Sequence, residues 1–260
     1  AMKDWIRCVV EDGVATLTLN RPEKRNAMSH EMLLDFLGAI ERAGEDPSVR
    51  VLIITGSGGS FCAGADLSDF AKVAESGEER PAAAERGRWW HLVHCPKPVI
   101  GAIDGPAIGM GAEFSSLCDV RIATPKSRFA WNFAQRGLIP DTGAGSWLLP
   151  RLIGPARAFH LLYSGEFLSA EDAHAIGYVN EIHEPEGLLP RALELAKLYM
   201  QSSPFAQSRI KELVYEGFTC DIDDHTARSD SFLNECFDSD DHKEGVAAFF
   251  ERREARFTGR

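Results

Sequence analysis

The chain has 260 residues, 44% hydrophobic and 26% charged, with 28 Lys and Arg against 39 Asp and Glu, a formal net charge of -11. A chain of this size buries a sizeable core without staples, and its acidic balance argues against nucleic acid and anionic membrane surfaces as partners. No apolar run reaches the ~18 residues of a membrane span, and AMKDWIRCVV lacks the parts of a secretory signal, so a cytoplasmic protein acting on small molecules is expected.

Residues Ile6 to Leu19 alternate with period two around Glu11-Asp12-Gly13, which predicts a hairpin. Met32, Leu33, Phe36, Leu37 and Ile40 then recur at helical spacing, with Ser29 placed to cap and Gly44 to stop the helix. Two apolar runs, Val51 to Ile54 and Pro98 to Ile103, each lead into a glycine-rich turn and read as buried strands of an α/β fold. Between them, Glu75 to Arg88 is charged and patternless and reads as a loop or an exposed helix. A last strand is expected at Val179 to His183, followed by helices alone from Leu188 to Phe257. A boundary near residue 200 separates an α/β core, 1–200, from a helical appendage, 201–260. The acidic segment Asp221 to Glu244 reads as a solvated face. Cys8, Cys62, Cys95, Cys118, Cys220 and Cys236 form no CxxC pair and read as free thiols. His91 and His94 have no second ligand pair, so no metal site is expected.

The two turns, GSGGSFCAGADL at 56–67 and DGPAIGMGAEF at 104–114, are the candidate chemical loci. Neither is a dinucleotide fingerprint, since the nearest GxGxxG match begins at Gly109 and ends in Phe114. Turns of this kind aim backbone N-H groups outward and can hold an oxyanion, each donor contributing about 3 kcal/mol to a transition state. A carboxylate near them can remove a proton from the carbon next to the polarised carbonyl. Glu113, inside the apolar run AEFSSLCDV, is costly to bury unpaired. Asp141, between Pro140 and a glycine-containing turn, could be held there as the base, but by its residues alone it reads first as a turn or helix N-cap residue. No GxSxG elbow supports a serine hydrolase.

FCAGADL, the GxxxGxGAE run at 105–113 and GLIPDTGAGSWLLPRLIG at 137–154 resemble the crotonase, or enoyl-CoA hydratase/isomerase, family. So do TLTLNRPEKRNAM at 16–28, LSAEDAHAIGYVNEI at 168–182 and EGVAAFFERREARFTGR at 244–260, so the resemblance spans essentially the whole chain. It implies a spiral of ββα units with a carboxyl-terminal helical trimerisation region, assembled as a homotrimer or dimer of trimers. The implied substrate is an acyl-CoA thioester, with no separate cofactor because coenzyme A is part of the substrate. The implied oxyanion donors are the Ala63 and Met110 amides, Met110 standing where the family has the middle of a triple glycine, beside Gly111. Coenzyme A contacts are implied at Lys24, Arg25, Ala27, Ala65, Asp66 and Leu67, with Arg252 on the phosphates.

Hydratases of the family pair a glutamate matching Glu113 with a second one, where this chain has Phe133. Isomerase branches carry their acid eight positions further on, where this chain has Asp141, preceded by Pro140. The local likeness of GLIPD and SWLLPR is to the ring-opening isomerases of phenylacetate catabolism, which lack an acid at the Glu113 position. The implied reaction is a double-bond shift with Asp141 moving a proton from C2 to C4. Hydration of a 2-enoyl-CoA, and acyl-CoA binding without turnover, remain the alternatives. Trp89, Trp90, Phe129, Trp131, Phe133 and Trp147 are candidates for an aromatic pocket or for core packing.

Overall fold

The Asp12-Gly13 pair, both at positive φ, closes a two-residue hairpin between β1 (Ile6–Glu11) and β2 (Val14–Leu19), as the alternation predicts. The structure, a computed structural model, describes residues 4–66, 68 and 90–260, so Leu67, Trp89 and the 75–88 stretch lie outside the described residues. α1 (His30–Glu45) starts at Ser29, whose hydroxyl accepts the Met32 amide. It runs past Gly44, because the stop is Asp46, held extended at ψ 116° as a residue before proline must be.

β3 (Val51–Gly56) and β4 (Val99–Ile103) are parallel neighbours. With β6 (Val120–Ala123) and β9 (Glu181–Ile182) they form a six-stranded sheet ordered β1-β2-β3-β4-β6-β9, parallel throughout except for the hairpin. A second sheet joins β5 (Pro106–Ile108), β7 (Arg128–Ala130) and β8 (Leu168–Ser169). Both faces of the large sheet are covered, which explains its continuous apolar runs. Leu17, Leu52 and Ile54 face one cluster with Phe36 of α1, while Val51 and Ile53 face another with Leu188, Ala192 and Leu195.

The last strand is shorter than expected. The Tyr178 and Val179 amides are taken by the Ala173 carbonyl, leaving only Asn180 to His183 to bond Arg121 and Ala123. The remaining α-helices among the described residues include α2 (His91–His94), α3 (Met110–Ser116), α4 (Leu149–Ile153), α5 (Pro155–Ser164), α6 (Ala170–Ala175), α7 (Pro185–Met200), α8 (Pro204–Glu216), α9 (Ile222–Asp238) and α10 (Asp240–Glu251). α8 is pinned to the sheet through Lys211 Nζ, which donates to the Leu92 and Lys97 carbonyls and to Asp119 at 2.9 Å. The acids of the 221–244 segment lie on a solvated face, Glu244 half-buried, except for Asp241, which is buried and accepts the Thr258 and Gly259 amides. The helical run ends at Glu251, short of the expected Phe257, where Arg252 turns left-handed at φ 55°. The six cysteines are free, with Cys62, Cys95 and Cys118 buried.

Candidate active site

The two glycine turns are stitched to each other. The Phe61 and Cys62 amides donate to the Pro106 carbonyl, and the Ile108 amide returns to the Cys62 carbonyl. α3 follows so closely that a Cβ at Gly111 would lie 2.2 Å from the Cys62 carbonyl oxygen, so Gly111 serves close approach of the two backbones. The position of a Cβ at Gly64 is 3.7 Å from the Met110 nitrogen, which puts the 63–65 amides beside the start of α3. The Met110 side chain is 4% exposed and lies in the main core.

Ala63 does not fit the part the resemblance implies, because its amide donates to the Arg25 carbonyl at 3.0 Å. Arg25 and Asn26, both left-handed at φ 51° and 58°, turn that carbonyl inward. Asn26 is fully buried and holds the turn by donating to the Ser57 and Ser60 carbonyls and accepting the Arg21 amide. The Ala65 amide is the unengaged one. Gly64 O and Asp66 N both bond Met28, so in extended chain the amide between them points the other way. Among the described residues neither Ala65 N nor Met110 N donates to a protein acceptor.

Lys24 and Arg25 are exposed and Ala27 and Ala65 half-buried around this turn. Asp66 belongs to the scaffold. It pairs with Arg21 at 2.8 Å, and hydrogen bonds from Ser68 hold its carboxyl at about 2. Arg252 is exposed at the end of α10, and among the described residues no hydrogen bond or ion pair joins it to the other predicted contacts.

Glu113 sits in the first turn of α3 with no exposed surface. Thr142 Oγ1 lies 2.5 Å from its Oε2, and Oε1 has no hydrogen-bond partner. Burial pushes this carboxyl up to about 8; the Thr142 hydroxyl draws it back, and the charge of Asp141 adds to the rise. Asp141 itself is exposed on the loop above. That loop continues into a π-helical turn, Ala144–Leu148, a distortion frequent at functional sites. A Cβ at Gly145 would lie 2.5 Å from Glu113 Oε1 and 3.0 Å from Pro140 Cγ, so only glycine lets the turn close over the acid. Thr142, Asn26 and Gly145 escaped the sequence reading. Asn-Ala after a basic pair and Thr-Gly after an acid are ordinary turn composition.

Of the aromatic candidates, Phe129 and Trp131 are fully buried in the core. Trp90 and Trp147 meet edge to face at 5.1 Å, and Phe133 is half-buried against the core edge. Among the described residues no group of three metal-ligating side chains occurs, and no helix is long and apolar enough to cross a membrane.

A largely parallel sheet wound with helices, two interlocked glycine turns and a buried acid are the frame of an enzyme of the hydratase/isomerase kind. The profile of the enoyl-CoA hydratase/isomerase family matches residues 10–260, and the chain belongs to that family. It is similar to a crotonyl-CoA hydratase of Syntrophomonas wolfei, 37% identical over 95% of each chain. It is also similar to a 1,2-epoxyphenylacetyl-CoA isomerase of Escherichia coli, 36% identical over 100% of each. Among solved structures, the enoyl-CoA hydratase EchA1 of Mycobacterium marinum superposes with a TM-score of 0.90 at 34% identity, covering 99% of this chain and 100% of that one.

Proposed function

We propose that the protein isomerises an acyl-CoA thioester, shifting a 3-enoyl double bond to C2, with Asp141 as the base. In this reading the Ala65 and Met110 amides, rather than Ala63 and Met110, hold the thioester oxygen. Asp141 takes the C2 proton, the electrons pass into a dienolate, and the same proton returns to C4, leaving mass unchanged. Lys24, Arg25, Ala27 and Ala65 meet the adenine and pantetheine of coenzyme A, and Arg252 meets its phosphates. No separate cofactor takes part. The exposed Phe249 and Phe250 of α10, 78% and 77% accessible, with Ile210 and Val214 of α8, supply the apolar face of a homotrimer.

The observation that carries this reading is the burial of Glu113. A carboxyl with no exposed surface and a value near 8 is mostly protonated at pH 7, which favours a neutral part for it over that of a water-activating carboxylate, while Phe133 stands where a hydratase has its second glutamate. Hydration through Glu113 as base would instead rise with pH through about 8. The test compares Asp141→Asn and Glu113→Gln in both reactions from pH 6 to 9. Loss of isomerisation in the first, with the second retaining most of it, supports the assignment. Equal loss in both variants, or hydration that climbs above pH 8, overturns it.

A further inference from the structure

The hydrogens around Glu113 can be assigned one by one. A threonine hydroxyl has one hydrogen and two lone pairs. One lone pair of Thr142 accepts the Ala144 amide at 3.1 Å, and Oγ1 faces Glu113 Oε2. Among the described residues no other acceptor is within hydrogen-bond reach of Oγ1, so its hydrogen goes to Oε2. The proton of the neutral carboxyl is thereby left to Oε1, which is buried against Gly145 and Pro140 and makes no full hydrogen bond, the Thr142 and Gly145 amides near the carboxyl only moderating the rise that burial causes. Thr142 is 7% exposed and is fixed from behind by the Trp90 indole, whose N-H donates to its carbonyl at 2.9 Å.

The charged surroundings are sparse. Asp141 faces Glu113 from the same loop as Thr142. β5 and the π-helical turn, which pack on α3, carry no titratable residue, and Cys62 against Gly111 and Tyr178 against Ser115 and Ser116 are held neutral by burial, each pushed up to about 12. Arg121 reaches only the far end of α3, at the Ser115, Ser116 and Cys118 carbonyls.

We propose that Thr142 is a positioning residue for Glu113: it fixes Oε2 as acceptor, confines the acid proton to Oε1, and so presents a neutral, oriented carboxyl next to Asp141. This rests on the isomerase reading above. An ionised Glu113 would add a second negative charge near Asp141 and the developing dienolate, where low polarity makes like charges repel strongly. The reaction therefore needs Glu113 neutral and slows as that group ionises.

The test is infrared titration of the full-length wild-type protein, Glu113→Gln, Thr142→Ser and Thr142→Val, with 3-enoyl-CoA turnover followed in parallel. A protonated-carboxyl C=O band is expected at pH 7 in the wild type and absent in Glu113→Gln. In Thr142→Val it moves to higher wavenumber, because the carbonyl loses its donor, and its midpoint rises by about one pH unit. Thr142→Ser restores both. Turnover in Thr142→Val falls about three- to tenfold in kcat with KM nearly unchanged, and its alkaline limit moves up with the band. Thr142→Ala provides the same comparison where Thr142→Val does not fold. A band that keeps its wild-type position and midpoint without the hydroxyl overturns the proposal. Because the spectrum needs no turnover, a band that moves while no variant isomerises would reject the reaction and leave the role of Thr142 standing.

Discussion

Glu113 feels the charge of Asp141, yet the two have opposite surroundings, one sealed under a turn and the other at the surface. Such a division is how a single site holds an acid and a base at the same pH. Replacing Asp141 by Asn removes the only proton carrier in the proposed step and should cut isomerisation about 10²- to 10⁴-fold. Glu113 makes a prediction about stability with a definite sign. Its folded value, about 8, lies above its ordinary 4.5, so between those limits the folded state binds a proton that the unfolded state has lost, and stability falls as pH rises. The stability advantage of Glu113→Gln over wild type should therefore grow from pH 5 to 8 and level off above, as read by chemical denaturation at each pH. Gly145→Ala should displace Glu113 and abolish its infrared band, since the added methyl overlaps Oε1. Glu113 was legible in the sequence because a carboxyl in an apolar run needs an explanation, whereas Asp141 after a proline has the look of a turn residue and stands out only through the family resemblance. Thr142 was not, because its partner lies 29 positions away in the chain and a threonine in a turn has none of the periodicity that betrays packing.

At the scale of elements, the turn that orients the Ala65 amide depends on a buried side chain rather than on the strands it joins. Asn26→Ala removes hydrogen bonds to Arg21, Ser57 and Ser60 and a residue type that tolerates positive φ. It should cost about 2–4 kcal/mol in urea unfolding and raise KM for the thioester. The hairpin, α1 and the buried strands followed from periodicity, since strands covered on both faces and a capped amphipathic helix leave strong local patterns. The misjudged ends have local causes: Pro47, not Gly44, stops α1, and the Ala173 carbonyl takes the amide of Val179 that would have lengthened β9. The choice of Ala63 as an oxyanion donor failed for a related reason. Which amide of AGAD points outward is decided by the bridge from Met28 to the 64–66 backbone and by the Arg25 carbonyl, both distant in sequence.

For the whole molecule, α8 to α10 leave large apolar side chains in water, Phe249 and Phe250 above all. A monomer rarely exposes so much. Sedimentation at micromolar concentration should show a trimer or a dimer of trimers, and Phe249→Glu with Phe250→Glu should shift it toward monomer while leaving the α/β core folded. In the proposed reaction the protein moves a double bond without adding water. The most direct measurement is incubation of the purified protein with a 3-enoyl-CoA in water, following conjugated-thioester absorbance together with product mass. Rising absorbance at unchanged mass is the expected result; gain of one water as the primary event, or no change with any 3-enoyl chain, would contradict it.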